Sequence, residues 1–174
     1  MTNQQISLKS TMMTFGLILG VVSVVFQLML FFLEMHYQQT TAAGIVSIII
    51  MIGVLVYAFI HYKKQNEGFL SLSEALKIGL GISLISALFG VIYSLILTNV
   101  LDPNTINKTI DFAFEKMRSE NPEMTKDQID MARGIAEKMS TPLISSAVQI
   151  IGALFIGFIV SLIGGLIVKK SRPE

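Results

Sequence analysis

Neither cysteine nor tryptophan occurs in this 174-residue chain, and only 14% of its residues are Asp, Glu, Lys or Arg. Without thiols there can be no disulfide, no cysteine-bound zinc, no Fe–S cluster and no thiolate nucleophile. The charged fraction falls well below the quarter, roughly, found in soluble domains, so the chain lacks the polar surface such a domain needs. A net charge of +1 supplies no basic field for nucleic acid. No Asp, Glu, Lys, Arg or His lies deep inside any of four long apolar blocks. Proton-coupled carriers and pumps generally need such an intramembrane group. Only two histidines are available, and His36 and His61 fall at opposite block ends, so no three-ligand metal set exists near either. No cofactor is expected.

What the chain does have is length in those blocks. They predict spans over residues 11–33, 42–60, 77–98 and 142–168, each long enough at 1.5 Å per residue to cross a roughly 30 Å hydrocarbon layer, the second only barely. The first block is too long for a signal-peptide core and no small-x-small site follows it before Glu34, so it reads as a retained anchor. His61, Tyr62, Lys63 and Lys64 read as an interfacial stop to the second.

Small residues recur along three spans. Gly16, Gly20 and Ser23 share a face of the first, continued by Gln27; Gly79, Ser83, Ser86, Gly90 and Ser94 share one of the third. In the fourth, Gln149, Ala153, Gly157, Ser161 and Gly165 repeat every four residues. Lipid provides no hydrophobic drive between helices, so such faces point to close helix packing. Gly16-x-x-x-Gly20 is a packing signature without the Lys-Ser/Thr of a phosphate loop, and nothing resembles a nucleophile elbow. Gln27 and Gln149 sit at matching depths, and a direct hydrogen bond between them would contribute about 0.6–2 kcal/mol. With more polar groups converging there, the same pair would make a small-solute or ion site.

Between the third and fourth spans, residues 102–140 carry two short amphipathic helices. Asp102-Pro103 reads as N-cap and first turn of one; after the Asn121-Pro122 break, Thr125 and Gln128 form a capping box for the other. Ile129, Ala132, Ile135, Ala136 and Met139 mark an apolar stripe that must pack on the bundle mouth, on the other helix, or into the headgroup layer. Ser71 with Glu74 is a further capping box, ahead of the third span.

Lys9, Lys63, Lys64, Lys77, Lys169, Lys170 and Arg172 fall on one side of a four-span bundle, against Glu67, Glu74 and Glu174. That side is expected to be cytoplasmic, with both termini there, in a bacterial inner membrane. The fold class is thus an all-α integral membrane four-helix bundle with a helical insertion on the outer side.

The short N-terminus, the Lys63-Lys64-Gln65-Asn66-Glu67-Gly68 loop leading to Phe69 and Ser71–Gly79, and the helical insertion before a Gly-rich last span together resemble DUF4199, a family of small bacterial, chiefly Bacteroidetes, membrane proteins of unknown function. The resemblance covers nearly the whole chain. It implies a fold and a membrane location and carries no catalytic residue across, and it makes Lys63–Lys77 the first place to look for a functional surface. The functional expectation is a non-enzymatic membrane protein acting in the lipid bilayer through association with itself or another membrane component. The alternative is a small-solute or ion transporter with an outer-leaflet site near Gln27 and Gln149.

Overall fold

The computed structural model describes residues 7–171 and, among them, holds six α-helices and no sheet. Arg172 and Glu174, used above for orientation, lie outside the described residues. The helices are α1 (Leu8–Phe32), α2 (Thr41–Gln65), α3 (Leu72–Ile96), α4 (Thr105–Glu120), α5 (Lys126–Met139) and α6 (Pro142–Val168). Four of them, α1, α2, α3 and α6, are long and apolar enough to cross a membrane. The chain is therefore built as a multi-pass membrane protein.

Helix ends follow local chemistry. Ser71 accepts from the Glu74 amide while the Glu74 carboxylate accepts from the Ser71 amide, and Thr125 and Gln128 repeat the arrangement for α5. Pro142 opens α6, where its missing N–H removes nothing from the helix ladder. Three boundaries differ from the sequence reading. α2 does not stop at Ile60 but continues to Gln65, because Tyr62 turns inward, buried, and its hydroxyl donates to Glu74 at 2.9 Å. α3 does not stop at the span end read at residue 98; Leu97–Leu101 continue it as one π-helical turn. The insertion helices are not short, at 16 and 14 residues, and α4 starts after Asn104: the Asp102 Oδ1 accepts from the Asn104 N–H at 3.2 Å, while its Oδ2 takes Lys108 and His36.

α3 is the shared neighbour. α1 and α6 both pack along it, and α2 closes the bundle against α1, α6 and α3. The buried cluster formed by Phe15, Leu19, Leu55, Phe59, Tyr62, Leu70, Ile78 and Ile82 occupies the half nearest the chain termini. A latch seals that end. Leu70 and Lys170 exchange two backbone hydrogen bonds of 2.9 Å, and the Lys63 ammonium donates to the Val168 carbonyl at 2.7 Å, satisfying an oxygen that the end of α6 would leave unpaired. The Lys63–Lys77 segment singled out by the resemblance is thus the part of the chain that ties α2, α3 and the end of α6 together.

Candidate polar cavity between the spans

The small residues of α3 and α6 meet in an antiparallel register. Ala75 lies against Gly165, Gly79 against Ser161, Ser83 against Gly157, and Gly90 against the Gln149 amide. A β-carbon on Gly79 would fall inside the Ser161 side chain and 3.7 Å from the Gly157 carbonyl oxygen, so at this point the two backbones approach as closely as glycine permits. Ser83 and Ser161 are 1% and 0% exposed, and neither hydroxyl has a hydrogen-bond partner among the described residues. Each fills the notch of the glycine opposite, exchanging hydrogen bonding for dispersion contact. Gly16 and Gly20 face α3 instead, where added β-carbons would come within 2.7 Å of Ile85 and Phe89.

Higher in the bundle the contact opens. Ser23 and Gln27 of α1, Ser47 of α2, Ser86 and Gly90 of α3, and Gln149 and Ala153 of α6 line one cavity of about 240 Å³ at the centre of the four spans. The expected hydrogen bond between Gln27 and Gln149 does not form, and among the described residues neither side-chain amide has a hydrogen-bond partner; beyond its helix bonds, the Gln27 backbone carbonyl accepts from the Tyr93 hydroxyl at 3.2 Å. The reason is geometric. α1 and α6 pack on α3 rather than on each other, and the space above Gly90 draws the Gln149 amide onto α3. Matching depth did not imply matching azimuth.

Gln149 also lines a second cavity, of about 390 Å³, between the end of α3, the start of α4 and the start of α6. Ser94, Thr98, Thr109, Ser145 and Ser146 supply its hydroxyls. One amide therefore borders both the central space and the space under the insertion. An amide carries two donors and two acceptor lone pairs, and in these surroundings they can be met only by water or a polar solute. A 240 Å³ volume has room for several waters at about 30 Å³ each.

At the insertion end a third, open vestibule of about 800 Å³ is lined by Phe31, Glu34, His36, Asp102, Lys108 and Glu115, among others. Its organising group is Asp102. The Lys108 ammonium donates to Oδ2 at 2.8 Å and the His36 Nε2–H donates to the same oxygen at 3.2 Å. Hydrogen bonding from Lys108, and after it from His36, outweighs partial desolvation and lowers the Asp102 carboxyl to about 2. Asp102 in turn raises the Lys108 ammonium. His36 is held there by a tight turn, bracketed by Glu34 at φ 55° and Gln39 at φ 44°, and by the Phe31 and Tyr37 rings at 5.1 and 5.3 Å. Its side chain is only 8% exposed, and Nδ1 is buried with no partner among the described residues. Nothing in the sequence pointed to this pairing, since His36 and Asp102 lie 66 positions apart. Lys108 alone could have been read, one helical turn and a half beyond Asp102.

Among the described residues no three or more His, Asp or Glu side chains gather as a metal site. No curated protein and no solved structure matches the chain. The model of one family, described as a protein of unknown function and designated DUF4199, matches residues 14–170, and the chain belongs to that family.

Proposed function

We propose that this protein takes up or passes a small, uncharged polar solute at the Gln27–Gln149 cavity, in a bacterial inner membrane with both termini cytoplasmic and no enzymatic step. The observation that carries the reading is that two amides and three serines from all four spans line one space, with neither amide side chain bonded to protein. Unpaired amides are expensive in lipid, and a wet or solute-filled cavity offsets that expense. The lining contains no ionisable side chain, which favours a neutral solute over proton-coupled chemistry. Gln149, bordering both inner cavities, is the natural gate between them.

Proteoliposomes challenged with glycerol or urea test this by stopped-flow light scattering. Reswelling should be faster than in protein-free vesicles and slowed by Gln149→Leu and Gln27→Leu. Rates equal to those of empty vesicles, or unaffected by both substitutions, would remove the reading.

Association with a second copy or another membrane protein is the other reading, and one observation favours it. The small residues of α1, α3 and most of α6 are occupied within one chain, but among the described residues nothing beyond the adjoining stretch of their own helix comes within 4 Å of a β-carbon added at Gly44, Gly53 or Gly152. They leave shallow notches on α2 and α6 where another helix could approach. Native mass spectrometry in mild detergent decides it: a dimer or a stoichiometric partner supports association, and monomer alone counts against it.

A further inference from the structure

α5 contains no buried residue, yet its two sides are unequal. Arg133 is bonded to Asp111 of α4 and to Glu137 of its own helix, and Ile129, Ala132 and Ala136 on that side are half-buried. This contact fixes the rotation of the helix. The other edge of the same apolar face, turned away from α4 and from the charged side, then presents Met131, Ile135 and Met139, which are 70%, 58% and 50% exposed. Large apolar side chains that stand out at this level need a reason.

The stripe does not end with α5. Past the break at Ser140 and Thr141, Leu143 in the first turn of α6 is 82% exposed, and the exposed run goes on along that span through Val148, Ile151 and Phe155. Only Ser140 and Thr141 separate the two helices. The apolar side of α5 is therefore continuous with the surface that α6 turns to the acyl chains. A helix with one apolar stripe and a charged opposite side lies in the plane of the bilayer interface.

We propose that α5 rests on the bilayer the protein spans, with Met131, Ile135 and Met139 inserted at the boundary between headgroups and acyl chains. The occupant of this face is lipid. The insertion is then anchored twice, by Arg133 to α4 and by the stripe to the leaflet. Because Met139 also borders the 390 Å³ cavity, that cavity opens at interface depth.

The absence of tryptophan makes the test direct, since each introduced indole is the only one in the chain. Full-length Ile135→Trp, Met131→Trp and Glu137→Trp proteins are reconstituted in phosphatidylcholine with or without bromine on the upper acyl chain, and quenching by bromolipid is compared with quenching by aqueous iodide. Ile135→Trp and Met131→Trp should emit at shorter wavelength than Glu137→Trp and be quenched severalfold more by bromolipid, while Glu137→Trp responds mainly to iodide. All three positions are open, and Glu137→Trp gives up only the Arg133–Glu137 pair within α5, leaving the Arg133–Asp111 bond to α4 in place. Iodide quenching of Ile135→Trp and Met131→Trp equal to that of Glu137→Trp would place the stripe in water and overturn the proposal. Protection of both from bromolipid and iodide alike would mean that protein covers it, and would overturn it equally.

Discussion

Near the termini, α3 and α6 touch through Gly79, Ser83, Gly157 and Ser161, while Leu55, Phe59, Ile78 and Ile82 fill the remaining space with no exposure at all. Towards the insertion, the same helices border cavities of about 240 and 390 Å³ lined by Ser86, Ser94, Ser145 and Gln149. Both halves use the same residue types at the same spacing. The difference lies in what stands opposite: glycine against serine closes the gap, whereas the stretches facing Gln27 and Gln149 leave polar groups around a space. A small-residue stripe in a membrane helix therefore seals or hollows a bundle according to its partner, and the hollow half is where binding chemistry can occur.

The comparison breaks most visibly if the sealed half is wedged apart. Gly79→Val places a branched side chain where Ser161 already sits, and should destabilise the bundle in detergent by at least about 1–3 kcal/mol. Gly152→Ala, with nothing near it, should leave the thermal midpoint essentially unchanged. Equal effects of the two would show that the sealed half is no tighter than the rest.

A smaller effect is expected at the insertion end. The Asp102 pKa is depressed from 3.8 to about 2 in the folded protein, so its contribution to stability is complete above the unfolded value and is lost as pH falls through about 2. Thermal midpoints of the wild-type protein should fall between about pH 4 and 2, and Asp102→Asn should lower the neutral-pH midpoint by a few degrees while flattening that acid dependence. An acid limb unchanged by the substitution would assign it to other carboxylates.

Least of all should Gln27 and Gln149 depend on each other. With no bond between them, only the cavity they share links them, and a double-mutant cycle of Gln27→Leu and Gln149→Leu should give a coupling of no more than about 0.5 kcal/mol. A coupling near the about 0.6–2 kcal/mol of a direct interhelical bond would restore the pairing that equal depth had suggested.

Much of this fold could be read from residue order. The uncharged blocks are unmistakable because lipid tolerates no other composition, and the caps at Ser71 and Thr125 are local chemistry within four residues. The repeating small residues of α3 and α6 likewise marked the faces that meet. What could not be read was where the small-residue face of α1 docks. In sequence Gly16 and Gly20 suit any neighbour, and their contact with Ile85 and Phe89 depends on α3 lying between α1 and α6. The extension of α2 was hidden because Tyr62, in a polar run, is buried by a hydrogen bond to Glu74 twelve residues on. The His36–Asp102 pair was hidden more completely: it joins two connections through a turn whose left-handed residues, Glu34 and Gln39, carry no glycine to announce it.

Cysteine reactivity along one face of α3 tests the contrast between the halves most directly, since the chain has no native thiol and serine to cysteine is a small change. In proteoliposomes, a small methanethiosulfonate should modify Ser86→Cys and Ser94→Cys, which line the cavities, and leave Ser83→Cys, 1% exposed against Gly157, unmodified. Reaction of Ser83→Cys at the rate of the other two, or protection of all three, would contradict a bundle sealed near its termini and open towards its insertion.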